Sequence, residues 1–229
     1  DTAVEVLFEG ADIGEEEEEG QTIRLKYARS LPVSDALSLP IIIAYEMNEA
    51  PLEPHHGFPV RLIVPGWYGM ASVKWLKRIE VLDEPFTGFF QKRRYVLINE
   101  GESEASSWAP LTKIRVKSLI THPRHGEVLP TGHHTIRGVA WSGNGEIVKV
   151  DVSTNNGDDW HEAVLIGKSS AGSWCQWEYE WQTPVNGHYI LTAKATDDAG
   201  EEQPISIPWN FRGYGNNARQ TLAVEVSSR

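Results

Sequence analysis

The chain has 229 residues, 40% of them apolar and 23% charged, with a formal charge of −11. That balance belongs to a globular protein of one large domain or two ordinary ones, and the acidity argues against a nucleic-acid binder, which needs a basic face. One cysteine excludes an internal disulfide and any multi-thiolate zinc or iron–sulfur site, and no apolar run reaches the roughly 20 residues that span a bilayer.

In chain order, Ala3–Phe8 alternates like a strand and stops at Gly10. It has no lead-in and no signal-peptide pattern before it, so it reads as a central strand in a chain that begins inside a domain. Glu15–Glu19 follow between Gly14 and Gly20. Five mutually repelling carboxylates predict a solvated loop, with a cation site as the alternative. Thr22–Tyr27 alternates again. Ser34–Leu37 opens a short helix with a Ser or Asp cap, Ile41–Tyr45 is a short apolar segment, Met47–Pro51 is a turn, and Arg61–Val64 is a strand stopped by Pro65-Gly66. Mixed short strands and helices around one sheet predict an α+β domain.

The character changes after Arg94. Asn99–Trp108 is polar and acidic and reads as a linker. Beyond Lys113 the segments are strand-like, with candidate strands at Thr135–Trp141, Ile147–Ser153, Trp160–Leu165, Trp174–Trp181 and Tyr189–Ala195. Asn155-Asn-Gly157 is a hairpin signal, because Asn and Gly tolerate positive φ. Strands and turns at this spacing predict an all-β sandwich. Nine tryptophans suit β-rich cores or ligand pockets. Cys175, between two of them, reads as a buried structural thiol.

Charge is unevenly spread. From Arg61 to Arg94 seven basic residues face only Glu80, Asp83 and Glu84, leaving +4 within an acidic chain. Such a patch is what an anion-binding cleft needs, while Lys77, Arg78 and Lys92 read as solvated surface. Gly66 and Gly69 flank an aromatic pair, followed by Ser72 and Lys74. Small residues, backbone donors, a hydroxyl and a Lys make a phosphate cradle one reading of that loop; an ordinary Pro-Gly turn before a strand is the other. His55 reads as a turn histidine.

Ala44-Tyr-Glu-Met-Asn48, His56-Gly-Phe-Pro-Val-Arg61, Val64-Pro-Gly66 and Ser72-Val-Lys-Trp75 together resemble the molybdopterin-domain signature of the sulfite oxidase family. Val139-Ala-Trp-Ser-Gly143, Val150-Asp-Val-Ser153, Gly157-Asp-Asp-Trp160 and Pro208-Trp-Asn-Phe-Arg-Gly213 resemble that family's dimerisation domain. The resemblance implies residues 1–108 as part of the α+β molybdopterin domain and residues 109–229 as an all-β immunoglobulin-like dimerisation domain. By the same resemblance Asp12, His56, Arg61, Ser72, Val73 and Lys74 hold the pterin cofactor, and Tyr95 and Arg212 serve the substrate. Arg212 favours sulfite over nitrate.

The resemblance also implies an oxidoreductase taking sulfite, or a related sulfane sulfur, through oxygen-atom transfer, with electrons passing to a cytochrome c or other haem acceptor. A homodimer through the sandwich domain and periplasmic residence follow from it as well. One departure matters. The family anchors molybdenum through a Cys thiolate upstream of the Asp12 region, and Cys175 does not match that position. Cofactor retention is therefore expected only with an upstream segment, carried in the same gene or on a separate amino-terminal chain. The chain reads as a truncation, a split-gene half or a degraded relative, inactive alone. The alternative function is a non-catalytic dimerisation scaffold.

Overall fold

Alternating apolar side chains punctuated by Gly and Pro leave strand pairing as the way to satisfy backbone donors and acceptors. The computed structural model describes residues 2–18, 20–102, 107–167, 172–183 and 185–228, and it is mostly β. The chain divides into two units, Asp1–Thr112 with Trp209–Tyr214, and Lys113–Pro208 with Gly215–Arg229. Among the described residues no helix is long and apolar enough to cross a membrane.

The first unit opens with a long hairpin, β1 (Glu5–Glu18) and β2 (Gln21–Pro32). The six-residue helix α1 (Val33–Ser38) follows, with Pro32 at its cap position and no side-chain cap bond, so the expected Ser or Asp cap does not form. Five short strands come next: β3 (Ile42–Ala44), β4 (Glu46–Met47), β5 (Ala50–Pro51), β6 (Arg61–Ile63) and β7 (Leu76–Leu82). A π-helical turn, Phe90–Arg94, precedes β8 (Val96–Leu97) and β9 (Ala109–Pro110). The main sheet runs β2-β1-β7, with β1 central. The helical share that an α+β domain would carry is small, since α1 is the only α-helix among the described residues. The core gathers Phe8, Leu31, Leu62, Val64, Trp67, Ala71 and Val73, with Tyr27 packed against it.

The glutamate run is not a loop. Glu15–Glu18 continue β1, pairing with Arg24, Ile23, Thr22 and Gln21; Glu19 lies outside the described residues. A strand turns successive side chains to opposite faces, which separates neighbouring carboxylates. Cations then relieve the rest, as Arg24 sits opposite Glu15 and Arg93 pairs with Glu18 at 3.2 Å.

The second unit contains β10 (Lys117–His122), β11 (Val128–Leu129), β12 (Gly132–Trp141), β13 (Ile147–Ser153), β14 (His161–Glu162), β15 (Val164–Ile166), β16 (Cys175–Thr183), β17 (Gly187–Asp197) and β18 (Thr221–Val226). The expected Trp160–Leu165 strand is broken in two at Ala163. The strands form two sheets, β10-β12-β16-β15 and β11-β18-β17-β13-β14. One buried cluster draws from both, including Ile136 and Trp177 on the first sheet and Val150 and Leu191 on the second. Trp177 is fully buried against its cross-strand partner Gly138, where a Cβ would lie 2.1 Å from the indole. Cys175 is buried, and desolvation pushes its thiol pKa up, away from the thiolate a metal needs.

Candidate functional site

Two irregularities of the first unit build the site. The β1–β2 register runs Glu9↔Ala28 and then resumes at Ile13↔Lys26, so Gly10, Ala11 and Asp12 stand opposite the single residue Tyr27. This is a bulge, which bends a strand and re-aims a side chain. On the other edge Ala11 N donates to Trp75 O at 2.8 Å. A Cβ at Gly10 would lie 2.2 Å from Asp12 Oδ1, so glycine is what lets the carboxylate fold back there.

The second irregularity is the turn ending the 3₁₀ helix Pro54–His56. Gly57, at φ +104, packs against Lys74 and Arg61, with its would-be Cβ 3.0 Å from Lys74 Cβ and 3.1 Å from Arg61 Cβ. Arg61 Nη1 donates to His56 O at 3.2 Å and Nη2 to Ser72 O at 3.4 Å, while Lys74 Nζ donates to His55 O at 2.7 Å. Ser72 Oγ accepts from Val64 N at 3.1 Å. His56, Arg61, Ser72 and Lys74 thus form one connected cluster, with Val73 buried beneath it in the core. Replacing Gly57 by alanine is expected to cost about 1–3 kcal/mol, because a Cβ is strained at that φ and the two cations' stems block it. Urea unfolding followed by circular dichroism measures this; an unchanged midpoint would remove Gly57 as the pivot of the cluster.

Asp12, Ser72 and Lys74 line one pocket of about 270 Å³ together with Tyr27, Gly69, Met70, Trp75 and Tyr95. Trp75 holds φ +48, a strained value for a tryptophan, of a kind that concentrates at functional sites. Tyr27 donates to Met70 O at 2.6 Å. Burial drives the Tyr27 pKa far above its ordinary value, Tyr95 and Asp12 reinforce the shift, and Arg29 opposes it. Burial also raises Tyr95, with Tyr214 adding and Arg94 opposing. Both phenols are therefore neutral hydrogen-bond donors around neutral pH. Behind them Arg29 is only 1% exposed and donates to Leu111 O at 2.8 Å and Phe90 O at 2.5 Å.

Arg212 stands elsewhere. It is half-buried and lines a second pocket in the same unit with Ile98, Trp108, Trp209 and Phe211. Phe211 N donates to Ile98 O at 2.9 Å, and Tyr214 meets Tyr95 with ring centroids 5.9 Å apart. Tyr95 and Arg212 therefore do not line one pocket. Tyr27 and Arg29 are the site residues that reading the sequence missed. Tyr27 ends a stretch that the sequence shows only as alternating, Arg29 lies beyond it, and nothing local in the sequence announces that Tyr27 faces a bulge.

Residues 1–90 match the oxidoreductase molybdopterin binding domain, and residues 109–227 match the Mo-co oxidoreductase dimerisation domain. The mitochondrial sulfite oxidases of Mus musculus and Homo sapiens are 35% and 36% identical over 99% of this chain. The chain spans 43% of the length of each. The sulfane dehydrogenase SoxCD from Paracoccus pantotrophus superposes on 97% of the chain and 55% of its own, with a TM-score of 0.79 and 27% identity. On these grounds the chain belongs to the sulfite oxidase family of molybdopterin oxidoreductases.

Proposed function

We propose that the protein of which this chain forms part oxidises sulfite, or a related sulfur oxyanion or sulfane, with electrons leaving to a haem protein such as a cytochrome c. The observation that carries this reading is the coincidence of a cation-bearing pocket with unsatisfied polar atoms. Asp12 Oδ1 on the pocket wall, and His56 Nδ1 and Arg61 Nε in the cluster beside it, are buried and have no hydrogen-bond partner. Orphaned buried donors and acceptors are costly unless a ligand meets them, and a mixture of acceptors and donors beside Lys74 and Arg61 fits a pterin carrying a phosphate. The residues present fit the group.

When bound, the molybdenum–pterin cofactor supplies the two-electron redox centre for converting sulfite and water to sulfate, two electrons and two protons. This chain's residues do the rest. Lys74 and Arg61 neutralise phosphate charge, Ser72 and backbone amides hydrogen-bond it, Asp12 and His56 receive ring donors, and Val73 fixes the backbone between Ser72 and Lys74. Tyr95 donates a hydrogen bond into the pocket, while Tyr27, whose proton goes to Met70 O, offers its phenol oxygen as an acceptor. Arg212 adds a guanidinium suited to a small oxyanion through charge-assisted bonds. Its placement in a neighbouring pocket suits attraction of the anion more than direct contact in the Tyr27–Tyr95 pocket.

Residues 109–229 we read as an immunoglobulin-like sandwich that joins two copies into a homodimer, with residues 1–108 as the cofactor portion. Periplasmic residence is part of the same proposal. The location of Cys175 in the second unit favours a second reading, a dimerisation scaffold that binds no metal by itself. Molybdenum and pterin content distinguishes them, measured on the 229-residue chain and on the chain extended by the upstream part of its gene. Metal is expected in the extended protein and not in the chain alone. Metal in neither would leave the scaffold reading.

A further inference from the structure

Arg29 is a buried cation held by neutral partners. It is 1% exposed, and its guanidinium donates to two backbone carbonyls, Phe90 O at 2.5 Å and Leu111 O at 2.8 Å. Among the described residues no carboxylate hydrogen-bonds to it. Burial pulls its pKa down, and Tyr27, Tyr95 and Glu5 oppose that through space, so the group stays charged. Burying a cation in this way is costly. A planar fork of donors is what arginine offers here and lysine does not.

The two carbonyls belong to the residues that bracket the Tyr95 backbone. Phe90 O, at the start of the π-helical turn, also accepts from Tyr95 N at 3.3 Å, and Leu111 N donates to Tyr95 O at 2.9 Å. The next pair of residues repeats the tie, with Gln91 Nε2 donating to Ser30 Oγ at 3.0 Å and both residues buried. Tyr95 itself caps the turn at φ −101 and ψ 72, outside regular helix or strand. The Phe90 ring lies 4.6 Å from that of Tyr27 and 6.2 Å from that of Tyr95, centroid to centroid. Holding Phe90 therefore steadies the packing behind both phenols.

We propose that Arg29 is the positioning residue for Tyr95, its fork joining the π-helical turn to Leu111 and so fixing where the Tyr95 hydroxyl enters the pocket. This rests on the reading above, in which Tyr95 donates into the pocket that takes the sulfur substrate. The charge serves the same pocket. Burial, the main cause, raises the pKa of both phenols, and the Arg29 cation opposes the rise in each. A fixed cation behind the pocket wall also adds attraction for an anion in front of it.

The test uses the intact, cofactor-loaded enzyme with Arg29→Lys, with Tyr95→Phe and with both together. Lysine keeps the charge but is a point donor that cannot span two carbonyls. Hydrogen exchange followed by mass spectrometry reads the anchor directly. In Arg29→Lys the peptides holding the Tyr95 and Leu111 amides should exchange about 10-fold faster, while the Glu15–Arg24 end of the hairpin stays as it was. KM for sulfite should rise about 5–10-fold, the scale of one hydrogen bond, with kcat and molybdenum content held. With Tyr95 already phenylalanine, Arg29→Lys should raise KM by less than about twofold more, because a residue that acts through a hydroxyl then has nothing to place. Arg29→Met, which keeps the stem without the donors, carries the same comparison if the lysine variant does not fold. Unchanged exchange at both amides would overturn the proposal. So would KM increases that multiply in the double variant, the sign of a merely structural role. Tyr95→Phe with an unaltered KM, beside faster exchange in Arg29→Lys, would instead sink the part of Tyr95 in the proposed function and leave Arg29 as the anchor of the turn.

Discussion

Trp177→Ala is expected to destabilise the second unit by about 3–5 kcal/mol, the range for emptying a fully buried tryptophan site. That is a large fraction of the roughly 5–15 kcal/mol by which a domain is stable. The indole is 0% exposed and belongs to the cluster shared by both sheets. Its Nε1 has no partner, so removing the ring forfeits packing and no hydrogen bond. The facing residue supplies a sharper test. A Cβ at Gly138 would lie 2.1 Å from Trp177 Cζ2, 2.3 Å from Cε2 and 2.4 Å from Leu119 O. Gly138→Ala is therefore destabilising through an indole that must move and a backbone oxygen that cannot. With Trp177 already alanine, the first two clashes vanish and the third remains, so the double variant should lose less than the two single losses combined. Urea unfolding read by circular dichroism gives the coupling. Losses that add within about 0.5 kcal/mol would show that Gly138 is not there to admit the indole.

What made the fold readable was period two. In β12 Ile136, Gly138 and Ala140 are buried in alternation, and in β18 Leu222, Val224 and Val226 are. The first of these strands was recognised from the sequence, and the second, Thr221–Val226, was not. The glutamate run was misread because like-charge repulsion was weighed without the pairing strand. Arg93 lies far along the chain, and Arg24, though near in sequence, comes opposite Glu15 only through the hairpin register, which counting charges does not reveal. The same limit governs the site. The cluster around Gly57 was readable because His56, Arg61, Ser72 and Lys74 fall within one short stretch carrying a specific motif. Asp12 was reached by resemblance, but its direction depends on a bulge whose only local sign is Gly10. Tyr27 was not reached at all, since its partners Asp12, Met70 and Tyr95 come from three separate segments.

That omission leads to the largest functional effect expected. Tyr27 and Tyr95 line the same pocket, their rings 6.4 Å apart and edge-on, yet they are not equivalent. Tyr27 stands opposite the Asp12 bulge and packs on the core, so its hydroxyl is held in a drier place, where its hydrogen bond to Met70 O is stronger and holds the pocket wall in place. Tyr95 has a longer tie to Tyr214 and the Arg212 segment. In the intact, cofactor-loaded enzyme Tyr27→Phe should lower kcat about 10²-fold, because the hydroxyl that ties Met70 O and fixes the pocket wall is lost and a misplacement of about 1 Å costs on that scale, with molybdenum content unchanged. Tyr95→Phe should alter kcat less and act mainly on KM. The raised Tyr27 pKa gives an independent readout. The unfolded phenol ionises near its ordinary value of 10 while the folded one does not, so the stability this residue contributes is complete below that pH and declines above it. Tyr27→Phe should flatten that alkaline decline in the first unit. A larger kcat loss in Tyr95→Phe than in Tyr27→Phe would reverse the assignment and restore Tyr95 as the residue that meets the substrate.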